Sequence, residues 1–271
     1  MNAPERIPMP DIQSLADLRN QPINRVGVKG LRYPVRLCMA DGSEQHTVAA
    51  INMYVGLPAE VKGTHMSRFV EVLEGNELAL DFANVQGMML TMLARLGAVR
   101  GQIEFAFPCF IRKAAPVSGV QSLLDHEVIL RASADPFGGF SLEVEVRVAA
   151  TSLCPCSKEI SEYGAHNQRS HITIAATLCG EISIEELVRI AEEEASCEVY
   201  GLLKRPDEKF VTERAYDNPK FVEDLVRDVS ARLNSEPRVA RYTVSAENFE
   251  SIHNHSAYAL ITRDKSDGAS L

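Results

Sequence analysis

Residues 140–153 read FSLEVEVRVAATSL. Side chains of an extended chain alternate between two faces, so Leu142, Val144, Val146 and Val148 share one side while Glu143, Glu145 and Arg147 share the other. That alternation belongs to an antiparallel sheet with one buried and one wet face. The preceding Asp135-Pro136-Phe137-Gly138-Gly139 is a turn, and 125–135 is the partner strand of a hairpin. Working outward, Tyr33, Val35 and Leu37 alternate toward the turn Asp41-Gly42, and 47–55 returns as a β-branched strand. Further strands are expected over 99–110, 172–179, 239–249 and 256–261.

Three helices punctuate these strands. Leu80, Val85, Met88, Met89, Met92 and Leu96 keep helical spacing over 76–96, with Gly97 placed as a left-handed cap. Ser183 and Glu186 have the spacing of a capping box for a helix reaching about residue 199. Asp217-Asn218-Pro219 opens another, in which Val222, Leu225, Val226, Val229 and Leu233 form one stripe. The order predicts an α+β chain of two modules, 25–120 and 121–262, between an N-terminal arm (1–24) and a tail (263–271). Each module lays helices across one face of antiparallel strands, and self-association is one way to cover the sheet edges.

The chain has 271 residues, 45% of them hydrophobic, enough for a core without covalent staples. Its net charge of -9 argues against a non-specific nucleic-acid binder, which needs excess positive charge. Neither a secretory leader nor a membrane-spanning apolar run is visible, so a cytoplasmic protein with no membrane partner is expected. In a reducing compartment the six cysteines are not a disulfide framework. Cys38, Cys109 and Cys179 lie among strand-like apolar residues and read as small buried side chains; Cys154, Cys156 and Cys197 are left to weigh individually.

Residues 151–159, TSLCPCSKE, place Cys154 and Cys156 just after a strand, with Pro155 making a bend that separates the two thiols. A C-x-C pair alone is a weak metal signal. It gains weight from His166, from His171 and from His253-Asn254-His255, all in or beside polar breaks between strands. A mixed Cys/His set suits a catalytic zinc that keeps one position for water and generates hydroxide near neutral pH. His46, His65 and His126, each taken singly, read as structural or surface residues.

Four separated motifs, 153–158 (LCPCSK), 166–170 (HNQRS), 63–69 (GTHMSRF) and 251–256 (SIHNHS), together resemble the type IB GTP cyclohydrolases of the tunnelling-fold superfamily. The resemblance spans about 22–261. It implies a bimodular tunnelling fold whose sheets assemble into β-barrels, a homotetramer with interfacial sites, and conversion of GTP and water to 7,8-dihydroneopterin triphosphate and formate. It further implies a divalent metal, zinc first with manganese or iron as alternatives, on Cys154, His166, Glu208 and His253. Glu223, in the sequence FVED at 221–224, matches the purine anchor; a carboxylate can accept from both N1-H and the 2-amino group of guanine, a donor pair adenine lacks.

Lys62, His65, Ser67 and Arg68 form a compact basic and hydroxyl patch for the triphosphate, with Arg169 a second source, from the same or another subunit. Cys156 stays open between a second ligand, a proton donor beside the metal and a residue orienting the first shell; His171 is open between proton shuttle and structural partner. Two other readings compete. A tunnelling-fold nitrile reductase would use a cysteine nucleophile and NADPH without metal, and a metal-stabilised structural module would have a closed four-ligand site.

Overall fold

The computed structural model describes residues 11–13, 15–75 and 78–267. Its strands are β1 (Ile23–Cys38), β2 (Glu44–Leu57), β3 (Gly101–Ala114), β4 (Gln121–Ala134), β5 (Phe140–Leu153), β6 (Asn167–Leu178), β7 (Cys197–Glu198), β8 (Val239–Asn248) and β9 (Ala257–Asp264). The helices are α1 (Ser67–Glu74), α2 (Phe82–Leu96), α3 (Pro155–Ile160), α4 (Ile184–Glu193), α5 (Arg205–Asp217) and α6 (Val222–Ser235). All strands except β7 form one antiparallel path, β1-β2-β3-β4-β5-β6-β8-β9, and β7 pairs with β5. The chain is therefore α+β, as the alternation in β5 requires.

On β5, Leu142, Val144, Val146, Val148 and Ala150 are buried in a core cluster shared with Met88, Met89 and Met92 of α2, Leu187 and Ala191 of α4, and Leu225, Val226 and Val229 of α6. One apolar layer thus runs under helices from both halves of the chain. Gly97 ends α2 in the left-handed conformation, with φ 61°. Both hydrogen bonds of the capping box start α4: Glu186 N–H donates to Ser183 Oγ at 3.1 Å, and Ser183 N–H donates to Glu186 Oε2 at 2.9 Å.

Several expectations change. The helix expected from residue 76 begins at Phe82, and residues 76–77 lie outside the described ones. The helix opened by Ser183 stops at Glu193 instead of near 199, because Cys197 and Glu198 form β7 opposite Thr151 and Ala150. Helix α6 begins at Val222, capped by Asp224, whose carboxylate accepts from Phe221 N–H at 3.0 Å. Cys109 is buried as expected, but Cys38 and Cys179 are exposed, because they stand at or just past strand ends where the core gives out. Among the described residues no helix is long and apolar enough to cross a membrane.

His126 is 2% exposed on β4, and neither ring nitrogen reaches a hydrogen-bond partner. Burial, aided by the charge of Lys113, lowers its pKa to about 4. The neutral ring is the folded form, so its contribution to stability is complete above the unfolded value of about 6.5 and is lost as pH falls from there toward 4. A loss of up to about 3 kcal/mol across that window is expected, at about 1.4 kcal/mol per pKa unit. Urea unfolding of the parent and His126→Leu at pH 7 and pH 5 checks it: the substitution should flatten the pH dependence.

Candidate active site

Strand β5 ends where its antiparallel neighbour β6 begins, with Leu153 opposite Asn167. The pairing continues one step, since Cys154 N–H donates to the His166 carbonyl at 3.1 Å. Pro155 occupies the first turn of α3, where its missing N–H costs nothing, and Cys154 is the N-cap, its Sγ accepting from Ser157 N–H at 3.4 Å. The proline bend therefore divides the thiols: Cys154 is half-buried against the strand end and Cys156 is exposed on the helix. In the His166 ring, Nδ1 lies 2.9 Å from Gln168 Oε1 and 3.9 Å from Glu250 Oε2. Glu250 reaches this corner because Phe249 N–H donates to the Arg169 carbonyl at 3.0 Å, folding the end of β8 toward β6.

Two further elements converge here. Lys220 N–H donates to the Leu153 carbonyl at 3.1 Å, which docks the entry to α6 beside Cys154 and leaves Glu223 exposed on the first turn of α6. Lys158 Nζ donates to the Tyr216 carbonyl and lies 4.3 Å from the Tyr216 ring centroid, tying α3 to the end of α5. Of the adjacent acids on α5, Asp207 is spent on the fold. It is fully buried and accepts from Val117 N–H, Ser118 N–H, Ser118 Oγ and Lys204 N–H. Burial pushes its carboxyl upward, but these hydrogen bonds outweigh that and hold it well below the usual carboxylate range.

Glu208 is left exposed. Asp207→Ala is expected to lower the thermal midpoint by several degrees, since it strands three backbone donors, while Glu208→Ala leaves it nearly unchanged. Thermal unfolding of the two variants side by side checks this.

His253 and His255 are exposed in the β8–β9 loop, their rings stacked at 5.1 Å between centroids. Among the described residues no three His, Cys, Asp or Glu side chains gather closely enough to hold a metal ion. What the single chain brings together is Cys154 and His166, with the start of α6 beside them; Glu208 and His253 do not join them in a cluster. A half-buried thiol and an imidazole whose Nδ1 is already engaged are the donor types a borderline divalent ion takes. In chemistry the corner fits such an ion.

His171 shares the wet face with Arg147, its Nδ1 2.7 Å from the guanidinium and its ring edge-on to Phe249. Burial, then the charges of Arg147 and Arg169, lower its pKa. It borders a cavity of about 250 Å³ lined also by Thr173, Glu247 and Tyr258. Cys197 is buried, which pushes its thiol up to about 11 and leaves it unreactive at neutral pH.

The basic patch stands elsewhere. It follows the Leu57 end of β2, and register carries that end through Val55–Gly101 and Gly101–Ala134 to Phe140 at the start of β5. Arg68 donates to the Arg95 carbonyl at 3.1 Å, near the C-terminus of α2, which returns to Gly101 at the same end. Cys154 follows the other end of β5, 14 residues long, so patch and corner are separated by about 40 Å of strand at roughly 3.3 Å per residue. Residues of the arm lie along the patch: Lys62 N–H donates to the Leu15 carbonyl, and His65 Nε2 is 3.2 Å from Asp11 Oδ2.

Sequence reasoning did not single out Gln168 or Glu250. A lone glutamine and a loop glutamate carry no spacing signal; only the pairing of β6 with β5 and β8 brings them to His166.

Comparison with known proteins adds three results. A relative from Dechloromonas aromatica (strain RCB), named GTP cyclohydrolase FolE2 1, is 63% identical over 96% of this chain and 97% of its own. Relatives named GTP cyclohydrolase FolE2 from Paraburkholderia xenovorans (strain LB400) and Azoarcus sp. (strain BH72) are 61% and 57% identical, over 96% and 98% of this chain and 97% and 98% of their own. Among solved structures, urate oxidase from Bacillus sp. TB-90 matches 90% of this chain and 100% of its own with a TM-score of 0.51, and uricase from Arthrobacter globiformis matches 91% and 95% with 0.50. Both are 7% identical, a likeness of fold alone. Residues 9–259 match the family described as type I GTP cyclohydrolase folE2, and with relatives this similar along nearly its whole length the chain belongs to that family.

Proposed function

We propose that this chain is a GTP cyclohydrolase that opens the imidazole ring of GTP, releases C8 as formate and yields 7,8-dihydroneopterin triphosphate, at the entry to folate-type pterin synthesis. The observation that carries the reading is the convergence of Cys154, His166 and the start of α6 at one corner of the sheet, in a chain of this family. Cys154, His166, Glu208 and His253 would hold a divalent cation, zinc by preference of the donor set, with manganese or iron accepted by the same atoms. The chemistry supplied by such an ion, when bound, is Lewis-acid activation of the water that attacks C8.

The chain's own residues supply the rest. Glu223 accepts from N1-H and the 2-amino group of guanine, which excludes adenine. Cys156, exposed on α3 beside Cys154, exchanges protons with the opening ring, and His171, its pKa lowered by burial, passes protons on the wet face. Lys62, His65, Ser67, Arg68 and Arg169 neutralise the triphosphate.

Since the Lys62–Arg68 patch and the Cys154 corner stand at opposite ends of one sheet, a complete site takes the patch of a second copy. A cytoplasmic homotetramer of tunnelling-fold subunits, closed through the outermost strands β1 and β9 into barrels, supplies that arrangement. Incubating zinc-reconstituted protein with GTP should release formate and a product that oxidises to a fluorescent pterin, with neither from ATP. Absence of formate from GTP overturns the reading.

A further inference from the structure

A line of hydrogen bonds leads away from His166 under the sheet. Gln168, Ser152, Ser170 and Asn248 are all buried, on the core-facing side of β5, β6 and β8. Ser170 Oγ lies 2.7 Å from Asn248 Oδ1, an atom that only accepts, so Ser170 gives its hydrogen there. Ser152 and Ser170 Oγ atoms are 2.6 Å apart, and Ser170 has no second hydrogen, so Ser152 donates to Ser170. With its own hydrogen committed, Ser152 accepts from Gln168 Nε2–H at 3.1 Å. That turns Gln168 Oε1 toward His166 Nδ1 at 2.9 Å, and an amide oxygen can only accept. The proton of a neutral His166 ring therefore sits on Nδ1, and Nε2 keeps its lone pair.

The reverse direction is the alternative, and the Glu250 carboxylate decides against it. With the Asn248 amide turned over, each hydroxyl would donate the other way, Gln168 would present its NH2 to Nδ1, and the ring proton would sit on Nε2. Glu250 Oε2 stands 3.9 Å from the same Nδ1, too far for a hydrogen bond but near enough to favour a hydrogen on that nitrogen. The Gln168 amide oxygen and the charge of the Glu250 carboxylate thus face the same ring atom.

We propose that Gln168, held by the buried Ser152–Ser170–Asn248 line, is a positioning residue that fixes His166 in its Nδ1–H form, so that Nε2 is ready as a ligand for the divalent cation. The inference rests on the metal reading above. An imidazole that donates its other N–H to a fixed acceptor is the better ligand, and loss of such a partner typically weakens metal binding about 10-fold to 100-fold. Gln168 has no atom in the reaction; it acts through His166.

The test uses the full chain. Nitrogen-15 NMR of histidine-labelled, metal-stripped protein reads the ring proton directly, and competition with a chromogenic chelator reads the zinc dissociation constant. The parent should show His166 protonated at Nδ1. Gln168→Leu should give mixed tautomers and about 10-fold to 100-fold weaker zinc. Gln168→Glu restores an acceptor toward Nδ1 and should bring zinc affinity back to within about three-fold of the parent. An Nε2–H tautomer in the metal-stripped parent overturns the proposal even if Gln168→Leu fails to fold. Unchanged zinc affinity in folded Gln168→Leu overturns it too, leaving the metal reading intact, whereas a parent that binds no zinc removes the metal reading itself and the proposal with it.

Discussion

Cys154→Ala should yield a folded protein that retains no stoichiometric metal and turns GTP over at least about 1000-fold more slowly, equivalent to about 4 kcal/mol of lost transition-state stabilisation. The thiolate is the softest of the four proposed donors, so its loss costs the site more than loss of a nitrogen or oxygen donor. The substitution also removes the acceptor for Ser157 N–H at the start of α3, a loss of about 1 kcal/mol in stability at most. Cys154→Ser separates the two effects, because a serine hydroxyl caps the helix but is a poor zinc ligand: stability should return and metal should not. Cys156→Ala, altered on the exposed side of the bend, should keep most of the metal and still lose turnover. Elemental analysis of the three folded variants decides it, and equal metal loss in the two alanine variants would contradict the division between the thiols.

Glu223→Gln should lower kcat/KM for GTP by roughly 30-fold to 1000-fold, or about 2 to 4 kcal/mol, while metal content stays at the parent level. In the proposed role the carboxylate accepts two hydrogens from guanine; the amide offers one acceptor and faces the second donor with a donor of its own. Glu223 lies on the exposed face of the first turn of α6, so the change disturbs no packing. The Lys220–Leu153 hydrogen bond docks the entry to its helix at the corner. Unchanged turnover would remove Glu223 as the purine anchor, and a folded but metal-free variant would make it a ligand in place of Glu208.

The parts of the fold legible in the sequence are those where one periodicity acts alone. The alternation of β5 and the stripe of α6 each bury a continuous face, and the Ser183–Glu186 box marks a helix start by two local hydrogen bonds. Helix α5 gives no such signal because only Asp207 and Ala215 are buried along it, and the rest, the half-buried Val211 apart, is charged or exposed. Helix α3 is six residues long and opens with a proline, which reads as a bend before it reads as a helix. Helix α1 was masked by its basic start, although Phe69, Val72 and Leu73 have helical spacing. Strand β7 was absorbed into the tail of α4 because Ala195 and Cys197 prolong its apolar pattern.

The candidate site divides in the same way. Cys154, Cys156 and His166 are legible because residues of metal-binding type crowd into a short polar break. Glu208 and Glu223 are ordinary acids in sequence, distinguished only by family resemblance. The separation of the Lys62–Arg68 patch from the Cys154 corner depends on the register of four consecutive strand pairs, which no local pattern encodes.

That separation makes a site shared between copies the central claim, and subunit mixing tests it most directly. Arg68→Ala and Cys154→Ala each disable one end of the sheet, and each variant alone should be inactive in the proposed homotetramer. In mixed tetramers verified by native mass spectrometry, an intact patch from one copy meets an intact corner from another, and activity should recover to at most about one quarter of the parent by random assembly. Mixed tetramers that form and exchange yet stay inactive would contradict a site built from opposite ends of two chains.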